Sequence, residues 1–402
     1  MFKKILSVVL VVMMIATACV AFASCAATEE FKIGVILLHD ENSTYDLNFL
    51  NAINAVKAEL KLKDSQVLIK SNIGETKACE DAAAELADEG CKVIFANSFG
   101  HEDYMINAAK KFPKVQFCHA TGTKAHTAGV PNFHNAFASI YEGRYLAGIA
   151  AGMKLNEMIA DGQFTAEEAK MGYVGAFTYA EVISGYTSFY LGAKSVCPTV
   201  TMDVRFTGSW FDVTAERNAA LSLISGGCKL ISQHADSYGA PSACEEKGIP
   251  NVSYNGSTEA SCPNTYIISS RIDWAPYFKY IIEAAQKGQT IDTDWTGTIA
   301  TGSVKLTDIN TKAAAEGTAA AIEAAKAKLI SGELKVFDTD NFKVNGNTLT
   351  EYLADVDTDE AFAKDTNVIY EGYFHESEKR SAPYFDIEID GITLLDRNYG
   401  ES

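Results

Sequence analysis

The sequence predicts two doubly wound α/β lobes facing each other across a cleft. Apolar, β-rich runs alternate with helix-period segments from residue 31, and the alternation begins again near residue 137. GCKVIFANSFG at 90–100 also returns as GCKLISQHADSYG at 227–239, so the chain carries an internal duplication. Strands that are apolar nearly throughout, each followed by an amphipathic helix, belong to a parallel sheet covered on both faces.

In the first half, FKIGVILL, SQVLIKSNI, CKVIFANS and KVQFCHATG are the strands, separated by the helical segments YDLNFLNAINAVKAELK, ETKACEDAAAELADEG and HEDYMINAAKKFP. In the second half, the helix IYEGRYLAGIAAGMKL leads to strands in MGYVGAF, TVTMDVRFTGS and CKLISQHAD. Crossings at about 137, 271 and 291 make a three-segment hinge. Residues 31–136 with 272–290 then form the first lobe, and 137–271 with 291–335 the second. Within the second lobe the alanine-rich NTKAAAEGTAAAIEAAKAKLISGELK is a solvent-facing helix by composition. Beyond it, 336–402 is an extension packed on the lobes, with hairpins at the Asn-Gly of VNGNTL and the Asp-Gly of IDGITLL.

The first 24 residues have the layout of an export signal: Lys3 and Lys4, an apolar run, then small residues. Phe22-Ala23-Ser24-Cys25 resembles a bacterial lipobox, which makes Cys25 the lipid-bearing first residue of a short linker, 25–30. Cleavage after Ala23 without lipid, lipidation at Cys19 and retention of the apolar run as a membrane anchor are the other readings. The expected location is the extracytoplasmic face of the cell membrane.

Composition excludes several classes. At 402 residues, with 47% apolar residues, the chain can bury two full cores. A formal charge of −18 repels phosphate backbones, so nucleic acid is a poor partner. Cys79, Cys91, Cys118, Cys197, Cys228, Cys244 and Cys262 have no CxxC spacing and imply no disulfide framework. The seven histidines are scattered singly, without the spacing of a metal site, and neither a G-x-S-x-G elbow nor a triphosphate loop is present. No enzyme, metal or cofactor is expected.

Polar residues instead gather at predicted strand ends, where open α/β sheets bind ligands. Asn97-Ser98-Phe99-Gly100 closes one copy of the repeat, and His234-Ala235-Asp236-Ser237 the other. His234 and Asp236 lie two apart and share one face, so QHADS is a hydrogen-bonding rim. Tyr45, Phe99, Phe177, Trp210 and Trp274 stand at matching positions and suit a flat ligand.

The series SFG at 98–100, HATG at 119–122, YEGRYLAG at 141–148, GSWFD at 208–212 and QHADS at 233–237 resembles the basic membrane protein family of ABC-transporter binding lipoproteins. The resemblance implies a type I periplasmic-binding-protein fold that encloses a purine nucleobase or nucleoside for delivery to permease subunits, with the protein acting as a monomer. Carried over by position, it adds Asp40, Tyr45 and Asp46 in HDENSTYD, Asn97, Ser98 and Phe99, then Phe177, Trp210 and Asp236. His234, Asn255 and Trp274 complete the expected ligand-binding set. Ser43 stands where relatives often have an aromatic, so that stacking partner is missing or supplied by Tyr45. Glu142 and Arg144 open the helix after the first crossing, one toward the hinge or both at the surface. The alternative in the same architecture is a sensing receptor for a sugar or autoinducer.

Overall fold

The computed structural model describes residues 30–356 and 363–396; Cys25 and the whole export signal lie outside them. Five strands of the first half are β1 (Ile33–Ile36), β2 (Val67–Lys70), β3 (Val93–Ala96), β4 (Gln116–Ala120) and β5 (Phe133–Ala138). The second half repeats them as β6 (Lys170–Gly175), β7 (Thr201–Phe206), β8 (Leu230–His234), β9 (Asn251–Tyr254) and β10 (Tyr266–Ile272). Two short strands follow, β11 (Asp294–Gly297) and β12 (Val304–Leu306).

One sheet runs β11-β5-β4-β3-β1-β2, and the other begins β12-β10-β9-β8-β6-β7. Both therefore place the second strand outside the first and the third on its other side. That order reverses direction between β1 and β3, and again between β6 and β8. The two reversals are the switch points at which loops diverge and leave a crevice. The internal repeat read from sequence is thus a repeat of topology.

The chain leaves the first sheet after Ala138, re-enters after Ile272 and leaves again after Gly297. The last crossing corrects the expected position at 291, because Asp294–Gly297 pairs in parallel with Asn135–Ala138 and belongs to the first lobe. Four residues reading DWTG carry no apolar alternation, so this strand leaves no pattern to find. Glu142 does reach the hinge: its Oε2 accepts from the Ile299 amide at 2.7 Å, in the third crossing segment.

Helices Ile140–Ala160 and Ala180–Val196 pack backbone to backbone in the second lobe. A Cβ on Gly148 would lie 2.0 Å from the Phe189 carbonyl oxygen, and one on Gly192 2.0 Å from that of Tyr145. The alanine-rich helix is shorter than expected, Thr318–Ser331, because Gly317 at φ 80° sets its start. It buries Ile322 and Leu329 and leaves most other positions toward solvent.

The extension touches both lobes. Ser381 donates its amide to Asp294 Oδ2 at 2.8 Å on β11, while the strand Ile392–Leu394 pairs in parallel with β7. Asn345 and Gly346, at φ 51° and 80°, make the expected tight turn, with Val344 and Asn347 exchanging bonds of 2.9 and 3.1 Å. Asp390-Gly391 does not make a hairpin. Its carboxylate caps the Asn345 and Gly346 amides at 2.9 and 2.7 Å, and the chain continues into the β7 pairing.

Buried ionisable groups give the fold a pH signature. Burial pushes Glu142 and Glu216 up to about 7 and Glu376, in the extension, up to about 8. Burial also pushes His101, His119 and His134 down to about 4. Above about 4.5 the folded state retains glutamate protons that the unfolded chain releases, so their effect lowers stability as pH rises. Up to about 6.5 the histidines act oppositely, because the unfolded chain protonates them and the fold does not. The melting temperature should therefore fall between about pH 6.5 and 8, where the effect of those histidines has ended and that of the glutamates persists, and Glu376→Gln should flatten that fall. Thermal melts at half-unit pH intervals check this, and a wild-type melting temperature that rises over the window contradicts it.

Candidate ligand-binding site

The carboxyl ends of β1, β3 and β4 in the first lobe and of β6, β7, β8 and β9 in the second meet between the lobes and line a narrow cavity. The first lobe contributes Leu38, His39, Tyr45, Asp46, Ser98, Phe99 and Thr121; the second contributes Glu181, Trp210, His234, Asp236 and Tyr254. No lysine or arginine is among these residues.

The first-lobe wall is built on the start of helix Thr44–Glu59. Ser43 caps it by accepting from the Asp46 amide, which places the Asp46 carboxylate in the first helical turn, where an anion is favoured. Asp46 Oδ1 accepts from Asn97 Nδ2 at 2.7 Å and from the His39 amide at 3.1 Å. Burial opposes ionisation here, but the neighbouring His39, Ser43 and Asn97 side chains outweigh it and hold the carboxyl below its usual range. Asp46 Oδ2 faces His39 Nδ1 at 3.6 Å and has no hydrogen-bond partner among the described residues. It is a charged acceptor waiting for a donor.

Asp236, on the opposite wall, is the converse. Burial pushes its carboxyl well up, with the charges of Asp46 and Glu216 adding to the effect. Asn255, a left-handed residue at φ 64°, donates Nδ2 to Asp236 Oδ1 at 3.2 Å. This shift favours the protonated carboxyl, whose other oxygen is an O–H donor. An acceptor on one lobe and a donor on the other now face the same space.

Aromatic rings close the sides. Phe99 of the first lobe stacks on Tyr179 of the second at 5.2 Å, Tyr179 on Phe177 at 5.2 Å, and Phe177 meets Trp210 edge-on at 5.0 Å. Thr44 ties the lobes together, donating its amide and hydroxyl to the Asp236 carbonyl at 3.0 and 3.2 Å. The structure is closed around the cavity.

The match to known proteins is decided over most of the chain. Residues 35–340 fit the family model Bmp, ABC transporter substrate-binding protein PnrA-like. The chain belongs to this family.

As a PnrA-like substrate-binding protein it is 32% identical, over 78% of its length, to a purine-binding protein of Brucella abortus, covering 86% of that protein. It is also 35% identical to a candidate ABC transporter glucose-binding protein of Haloferax volcanii, over 51% of this chain and 49% of that one. A solved ABC transporter solute-binding protein of Aeropyrum pernix shares the type I fold, with a TM-score of 0.64 at 16% identity over 76% of this chain and 93% of that one.

Of the residues expected in the PnrA-like site, Tyr45, Asp46, Ser98, Phe99, Trp210, His234 and Asp236 face the cavity together. Asn97 and Asn255 stand behind it and hold the two aspartates. Phe177 packs at the rim against Trp210, and Asp40 lies outside, bonded to Asn42 and Asn72. Trp274 is a correction. It is 1% exposed and stacks on Phe49 at 4.6 Å, in the first-lobe core, because the turn into helix Ala275–Lys287 aims it inward.

Sequence reasoning missed Leu38, His39, Thr121, Glu181 and Tyr254. His39 precedes Asp40 in the quoted loop, Thr121 lies in HATG, and Tyr254 precedes Asn255, so three of these adjoin residues already singled out. Glu181 carried no signal, yet its Oε1 meets His234 Nε2 at 3.3 Å. The seven cysteines of the described residues are all buried and unpaired.

Proposed function

We propose that this substrate-binding protein captures a purine nucleobase between its lobes, on the outer face of the cell membrane, and hands it to the permease. The observation that carries the reading is the opposed pair of Asp46, an ionised acceptor, and Asp236, a neutral donor, between aromatic walls. A purine base has a flat ring system whose edges offer N–H donors beside ring-nitrogen acceptors. The purine-binding relative in Brucella supports this reading.

The Haloferax relative favours a sugar instead, and one measurement separates the two. Adenine or guanine should raise the melting temperature with concentration, by about 2.7 kcal/mol of stability at a hundred times Kd. Glucose should leave the curve unmoved; a shift with glucose and none with any purine overturns the proposal.

Lipid at Cys25 would hold so acidic a domain at the membrane. Cys25→Ala should then move the protein from the membrane fraction to the soluble one, although a single acyl chain binds only weakly. A wild-type protein that takes up no labelled lipid precursor refutes the anchor.

A further inference from the structure

YEGRYLAG is a sequence motif that the cavity lining leaves unused, and its arginine is buried. Arg144 lies one turn inside helix Ile140–Ala160, just past the first hinge crossing, and is 1% exposed. Its Cζ sits 3.3 Å from the centroid of the Tyr254 ring and 5.8 Å from that of Tyr173. Nη1 donates to the Gln233 carbonyl at 2.9 Å, while Nε and Nη2 have no hydrogen-bond partner among the described residues. Among the described residues no carboxylate pairs with this guanidinium.

We infer that Arg144 is a positioning residue of the cleft floor, acting on the bound ligand through Gln233, His234 and Tyr254 without touching it. One guanidinium grips the ends of two neighbouring strands, β8 through the Gln233 carbonyl and β9 through the Tyr254 face. Those ends carry His234, Asp236 and Tyr254 of the lining and Asn255 behind it. Lysine cannot replace it, because only a planar fork can stack on a ring and donate in its plane at once.

The buried charge also acts on His234. The imidazole packs between Tyr254, 4.7 Å away, and Trp210, 6.3 Å away. The titratable or charged groups around it are Glu181, Arg144, Asp236, Tyr254 and Tyr173. Burial first, and Arg144 after it, disfavour the imidazolium, while Glu181 favours it. A neutral ring then donates Nε2–H to Glu181 and adds no positive charge to a floor already facing two carboxyls.

The affinity arm of the test rests on the purine reading, and the other arm does not. In ligand-free protein, NMR titration of the His234 ring should move to higher pH in Arg144→Met and stay near wild type in Arg144→Lys, which keeps the charge. Calorimetry with adenine should show both variants weakened about tenfold or more, since the planar fork that stacks on Tyr254 while bonding Gln233 is lost in each. A purely structural role would lower melting temperatures without moving the histidine titration. Arg144→Lys binding adenine as tightly as wild type, or an unmoved titration in folded Arg144→Met, overturns the assignment. Should Arg144→Met not fold, Arg144→Lys decides alone, by weakened binding with an unchanged titration. Should wild type not bind adenine, the purine reading falls, and the ligand-free titration still judges Arg144.

Discussion

Asp46→Ala should weaken adenine binding by about a hundredfold or more while leaving the protein folded. The ligand would lose a charge-assisted hydrogen bond, worth roughly 1.5–3 kcal/mol. Two donors would also be stranded, since the His39 amide and Asn97 Nδ2 both spend their hydrogen on Asp46 Oδ1. A buried donor without a partner costs about 1–3 kcal/mol, so part of the damage appears as lost stability and a looser first-lobe wall. Asp46→Asn separates the two effects. It leaves an amide oxygen for those donors but removes the charge facing the cavity, so affinity should still fall by about tenfold while the melting temperature recovers. Calorimetry and thermal melts on the two variants check this; Asp46→Asn binding adenine at wild-type strength would show that the ligand never meets that carboxylate.

The architecture was legible because its signals are periodic. Apolar strands, amphipathic helices and the duplicated GCK-led strands are long-range patterns, and the matching strand orders of the two sheets follow from the same duplication. A third of the lining followed from that architecture, since Ser98, Phe99, His234 and Asp236 sit at strand ends facing the switch points. The rest depended on directions that sequence does not encode locally. Trp274 and Trp210 look alike as aromatics after a strand, yet a helix start turns the first into the core and leaves the second at the cavity. Glu181 opens a helix among small and apolar residues, and only the paired His234 reveals where it points. β11 was invisible because DWTG, unlike the equally short β1 and β3, is not an apolar run, and the third hinge crossing was misplaced with it.

The state of Asp236 changes what its replacement should do. From sequence, an aspartate at the end of QHADS is an ionised acceptor for a purine N–H. Its burial, with Asp46 and Glu216 nearby and no cation in the lining, instead favours the protonated form. One oxygen is occupied by the Asn255 amide at 3.2 Å, leaving the O–H to meet a ring nitrogen of the ligand. Asparagine reproduces that layout: its oxygen keeps the Asn255 bond and its amide hydrogen stands where the O–H stood. Asp236→Asn should therefore retain adenine affinity to within about threefold, whereas Asp236→Ala, which leaves the Asn255 amide without its partner, should lose about tenfold to a hundredfold. Adenosine distinguishes the nucleoside case. A ribose held by this residue would offer two hydroxyl donors, which require an ionised carboxylate and are poorly served by an amide. Calorimetry with adenine and adenosine on wild type and both variants decides it. Wild-type preference for adenosine, with Asp236→Asn as damaging as Asp236→Ala, would mean that the carboxyl is charged in the complex and faces a sugar, which makes the protein a nucleoside receptor.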